Sequence, residues 1–142
     1  MRDTPETLPD LHPMRRVLGA CDDVRLAYVF GSVARGQPRP RSDVDVAVLF
    51  ATPPSFKAID QLTAELERVT RRRVDLVDLR RAPPLLAHEV VSAGRLLVAR
   101  DEGERVDFET RVVLRFLDTA HLRRIQHSYL REWVEARRVH SP

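Results

Sequence analysis

Asp43 and Asp45 stand two residues apart at the head of an apolar run, Val46-Ala47-Val48-Leu49-Phe50. On a strand, positions i and i+2 point to the same face, so the two carboxylates converge. Carboxylates held that close repel each other unless a proton or a cation comes between them. A hard cation with oxygen ligands, Mg2+ above all, suits such a pair. Upstream lies Gly31-Ser32, with ten residues between Ser32 and Asp43, and a second apolar run, Leu26-Ala27-Tyr28-Val29-Phe30, leads into it. Glycine lets the backbone turn sharply and lets a ligand approach it closely. Ser32 is placed to N-cap a short helix, and its hydroxyl with the free N–H groups behind it offers a site for an anion such as phosphate. A phosphate cradle beside paired metal-binding carboxylates describes a site for a nucleoside triphosphate.

These groups need a scaffold, and the flanking patterns supply one. Leu11, Met14, Val17 and Leu18 recur at helical spacing, predicting a helix from Leu8 to about Ala20. Val24–Phe30 is the first strand. A short helix from Ser32 ends at Gly36 and Pro38, and Arg35, one turn into it, is within reach of a nucleotide or of a nearby carboxylate. The loop 37–41 carries Arg39 and Arg41, either phosphate contacts or solvated charges. Asp43–Phe50 is the second strand, and its unbroken apolar run marks a central one. Ser55 caps a helix running to Thr70 through Phe56, Ile59, Leu62, Leu66 and Val69. Arg73–Asp78 is a third strand. Alternation puts Asp75 and Asp78 on opposite faces, so only one of them can join the Asp43–Asp45 pair. Pro84 starts a helix over Leu85–Ala93, and Gly94 ends it as a C′ residue. His88 within it reads as structural. Leu96–Ala99 is a short strand and Asp101-Glu102-Gly103 a turn.

A long helix follows from Glu104 to about Arg138. Val112, Val113, Phe116, Leu117 and Ala120 form one stripe, expected to pack on the domain. Leu122, Ile125, Tyr129 and Trp133 form a second, which either folds back on the core or docks a partner, Tyr and Trp being favoured at interfaces. The expected architecture is α/β (α+β): a small mixed sheet flanked by helices, with a long C-terminal helix, in a single domain spanning 1–142.

The composition fits that reading. Of 142 residues, 43% are hydrophobic and 32% charged, which is globular rather than disordered. No apolar run approaches the length of a membrane span, and the polar N-terminus lacks a signal-peptide core. The lone Cys21 cannot form an internal disulfide, in keeping with a cytoplasmic protein, and reads as a small packed residue. The net charge of +3 is carried almost wholly by Arg; Lys57 is the only Lys. The charge forms no continuous basic block, so direct nucleic-acid binding is not expected.

Gly-Ser, ten residues, Asp-x-Asp resembles the signature of the nucleotidyltransferase superfamily that includes DNA polymerase beta and kanamycin nucleotidyltransferase. In its fuller form, GSVARG followed by RSDVDVAVLF, it is similar to the minimal nucleotidyltransferases, many of which are antitoxin partners of HEPN-domain ribonuclease toxins. The resemblance implies ATP as co-substrate, two Mg2+ ions, and a third carboxylate from a neighbouring strand, whose match is Asp75. The expected catalytic and metal-binding set is then Asp43, Asp45 and Asp75, with Gly31, Ser32, Arg35 and Ser42 as nucleotide contacts. The implied activity is transfer of AMP to a hydroxyl, a Tyr, of a HEPN ribonuclease. A non-catalytic antitoxin that acts by binding, and a small-molecule nucleotidyltransferase of the aminoglycoside type, are the alternatives. Three converging carboxylates speak against the first, and a length too short for a substantial second domain against the other.

Overall fold

The computed structural model describes residues 10–36 and 43–139. The chain runs α1 (His12–Ala20), β1 (Val24–Phe30), α2 (Gly31–Ala34), β2 (Val44–Phe50), α3 (Phe56–Thr70), β3 (Val74–Asp78), α4 (Pro84–Ala93), β4 (Arg95–Ala99) and α5 (Glu102–Val139). The four strands form one sheet in the order β3-β2-β1-β4. β1 pairs antiparallel with both β2 and β4, whereas β3 joins β2 parallel. A parallel pair needs a crossover connection, and α3 provides it. The mixed α/β sheet and the long last helix are as expected.

Each boundary that differs from the sequence reading has a local cause. α1 starts at His12 rather than near Leu8: Asp10 Oδ1 accepts the His12 N–H at 3.0 Å, and Leu11 becomes the cap residue. α5 begins two residues early and takes in Gly103, because Asp101 Oδ1 accepts the Glu104 N–H at 2.9 Å and caps the helix. Gly94 is not left-handed. It is extended, and its need for glycine is steric, since a Cβ there would overlap the Val90 carbonyl. The left-handed cap belongs to Arg71, after α3. The expected cap of α3 forms: Ser55 Oγ accepts the Ala58 N–H at 3.1 Å.

The two faces of the sheet are covered differently. Val44, Val46, Val48 and Phe50 of β2 face α1 and α3, in one core with Met14, Leu18, Leu62 and Leu66. The alternate residues Ala47 and Leu49 face α4 and the start of α5, with Tyr28, Ala87, Val90, Phe108 and Val112. Tyr28 donates from its hydroxyl to Glu109 Oε1 at 2.8 Å, so burial and that hydrogen bond together push the phenol well above its usual range. Arg100 donates to the carbonyls of Gly19, Cys21 and Val24, which ties the end of α1 to the sheet.

The first stripe of α5 packs only in part. Val112 is buried, but Val113 and Leu117 are exposed. The second stripe does not fold back: Leu122, Ile125, Tyr129 and Trp133 are 58%, 38%, 69% and 54% exposed. Among the described residues no helix is long and apolar enough to cross a membrane.

Candidate active site

The carboxylates gather at one end of the face that α4 and α5 cover. β2 places Asp45, and the parallel ladder sets Asp75 of β3 directly beside it as its Cα partner. Asp43 stands one residue before β2, not within it, and is exposed. Asp78 lies three residues past Asp75, so alternation turns it to the other face. There its Oδ1 accepts the Arg80 N–H at 3.0 Å, a turn-start role.

Gly31 completes the group from above. Phe30 pairs with Asp45 across β1 and β2, so the next residue sits over that carboxylate. Gly31 has φ +72°, and a Cβ there would overlap Asp45 Oδ2. The glycine is required twice over, by a left-handed backbone and by the closeness of the aspartate. α2 starts at Gly31 itself, with Phe30 as cap residue and no side-chain cap bond. Ser32 is therefore inside the first turn and does not N-cap it, a correction to the sequence reading. The cause is the glycine: its positive φ already turns the chain into the helix. Arg95 Nε donates to the Ala34 carbonyl at 3.1 Å and holds the end of α2 against β4.

Electrostatics marks Asp45 as the centre of the site. Its carboxyl is raised above the usual carboxylate range, first by burial, then by the charges of Asp75, Asp43 and Glu89, with Arg35 opposing. Glu89 of α4 is the residue sequence reasoning missed. No motif flags one acid in a helix, and its place beside Asp45 depends on how α4 lies on the sheet. Ser42, Arg39 and Arg41 lie outside the described residues. Among the described residues, no three His, Cys, Asp or Glu groups stand close enough to hold a metal ion as they are. The donor set is nonetheless all oxygen and anionic, the chemistry a hard cation takes. Repelling carboxylates around a half-buried one are the kind of group a bound cation would draw in.

A second feature lies at the opposite end of the same face. A cavity of about 670 Å³ opens there between the end of β2, the start of α4 and α5. It shares no residue with the carboxylate group. Phe50 at its wall lies five steps along β2 from Asp45, about 17 Å at strand rise.

Comparison with known proteins bears on the carboxylate end. Residues 14–103 match the family described as polymerase beta, nucleotidyltransferase. The protein adenylyltransferase MntA of Shewanella oneidensis is 39% identical over 74 residues, 52% of this chain and 53% of that protein. The chain thus spans about half the length of that relative. The MntA of Aphanizomenon flos-aquae is 27% identical over 125 residues, covering 80% and 83%. A chain in the solved complex of tri-AMPylated Shewanella oneidensis HEPN toxin with MNT antitoxin superposes with a TM-score of 0.68 at 26% identity, covering 84% of this chain and 94% of that one. The family match takes in all four strands and every described carboxylate of the site, and the chain belongs to the polymerase beta nucleotidyltransferase family.

Proposed function

We propose that this chain is a Mg2+-dependent protein adenylyltransferase, the antitoxin of a toxin–antitoxin pair. It transfers AMP from ATP to a hydroxyl, that of a Tyr, on a HEPN-domain ribonuclease in the cytoplasm and so neutralises the toxin. What carries the reading is one juxtaposition: Gly31, in a conformation that admits no side chain, directly over an Asp45 that is in register with Asp75. An open backbone turn against converging carboxylates brings phosphate and cation to the same place. The adenylyltransferase activity of the MntA relatives and the AMPylated HEPN toxin of the similar complex supply the acceptor class.

Asp43, Asp45 and Asp75 are the residues that would hold Mg2+. When bound, the ion neutralises charge on the attacking and leaving oxygens of an in-line displacement. The residues do the rest. The Gly31 turn and Ser32 hold the β- and γ-phosphates, and the exposed Asp75 faces the acceptor side, where it accepts the hydroxyl proton. The acceptor oxygen bonds to the α-phosphorus, the bond from that phosphorus to the bridging oxygen breaks, and pyrophosphate leaves.

The test is AMP transfer from labelled ATP to a co-expressed HEPN-domain ribonuclease, read on the intact acceptor by mass. Asp43→Asn, Asp45→Asn and Asp75→Asn should each abolish transfer while the protein stays folded. Neutralisation of the toxin by all three inactive variants at the wild-type level would instead make the chain a binding antitoxin.

A further inference from the structure

The cavity at the far end of the site face has two kinds of wall. Its floor is apolar, built by Leu49, Leu79, Ala87, Phe108 and Val112. Its rim carries Arg80, Arg111 and Arg115. The one carboxylate lining it, Glu104, is already taken by Arg25, Nη2 to Oε2 at 2.5 Å. Among the described residues, neither Arg111 nor Arg115 has a carboxylate partner. The volume and the mixture of apolar floor and few charged groups are those of a binding pocket rather than of a packing flaw.

The rim also continues. Arg111, Arg115, Leu122, Ile125, Tyr129 and Trp133 fall at steps of three and four residues along α5, with the seven-residue step from Arg115 to Leu122 taken up by Asp118. They therefore share one side of the helix. The same side that borders the cavity carries the exposed stripe beyond it, and a stripe with that spacing is what a second helix packs against. Charge decides which helix. On this side α5 carries Arg111 and Arg115 against the single acid Asp118, and around all its sides from Arg111 to Arg137 it carries six arginines and three acids. A second copy of α5 would set arginine against arginine, whereas an acidic helix would be complementary.

We propose that the cavity and this side of α5 form one docking track for an acidic amphipathic helix of the HEPN-domain partner. One large apolar side chain of that helix fills the cavity, flanking carboxylates pair with Arg111 and Arg115, and the remainder runs along Leu122, Ile125, Tyr129 and Trp133. Buried apolar anchors ringed by charge are where interface energy concentrates. The track rests on the proposed function for its partner, and it leaves the carboxylate end of the face free to meet the acceptor hydroxyl.

Calorimetric titration of the full chain with the same HEPN-domain ribonuclease tests this. Arg111→Glu with Arg115→Glu reverses the rim, and Tyr129→Ser with Trp133→Ser strips the stripe. Each double variant should weaken partner binding about tenfold or more while ATP affinity is unchanged. Wild-type affinity should also fall as salt rises, more steeply than that of the reversed variant. Partner binding untouched by both double variants overturns the track alone. A wild type that does not bind the HEPN protein overturns the proposed function with it. A wild-type homodimer in light scattering that charge reversal dissociates would assign the surface to a second copy and overturn the acidic partner.

Discussion

The two faces of the sheet are built from the same strands and do different work. On the face under α1 and α3, β2 contributes Val44, Val46, Val48 and Phe50, all buried, and two helices cover it. On the other face, α4 and the first turns of α5 cover only the middle, around Ala47. The cover stops short at both ends. At one end an incompletely buried Asp45 meets the charges of three other acids, and at the other Arg111 and Arg115, without a carboxylate partner among the described residues, rim an apolar cavity. One strand supplies both faces through its period of two. A closed face can only store stability, while a face left open at its ends can hold unbalanced charge and so a ligand.

That contrast can be broken in stages. The largest effect is expected at Gly31→Val. It forces a branched side chain into a left-handed conformation and against Asp45 Oδ2, so ATP affinity measured by calorimetry should collapse. Leu66→Ala on the closed face should do the reverse, costing about 2–5 kcal/mol of stability in denaturant titration and leaving ATP affinity unchanged. Loss of ATP affinity in a folded Leu66→Ala protein would show that the faces are coupled. Ser32→Ala should have the smallest effect. It would remove the hydroxyl contact proposed for the phosphates, about 1.5–3 kcal/mol, or about ten- to a hundredfold in ATP affinity. Unchanged affinity there would put the triphosphate elsewhere.

Much of this was legible in the chain, for local reasons. Ser55 with its apolar spacing fixed the start of α3, and the Gly-Ser to Asp-x-Asp interval fixed the order of turn and carboxylates. Alternation allowed only one of Asp75 and Asp78 beside the pair, the family resemblance pointed to Asp75, and Asp75 is the one in register with Asp45. What was not legible depends on tertiary placement. Glu89 reaches the site only because α4 lies across β1. The two stripes of α5 have the same periodicity, so sequence alone could not say that Val112 is buried and Tyr129 exposed. Gly103 misled because a glycine ordinarily ends a helix; here Asp101 caps the turn that contains it. The arginine-rimmed cavity draws its walls from β1, β2, α4 and α5 and the loops after β2 and β3, and no stretch of sequence contains it.

Asp45 is held in a site that repels its charge, and on the proposed function a bound cation would relieve that repulsion. Its carboxyl is raised in the folded protein, so the stability tied to its protonated form is complete below the ordinary carboxylate value and is lost as pH rises through the raised one. Near neutral pH the charged Asp45 should therefore cost the free protein stability. The direct measurement is the melting temperature of wild type and Asp45→Asn, each with and without Mg2+–ATP, at neutral and at acid pH. The free variant should melt above wild type at neutral pH, the gap should narrow in acid, and only wild type should gain strongly from Mg2+–ATP. A free variant that melts below wild type, or one that gains as much from Mg2+–ATP, would contradict this role of Asp45.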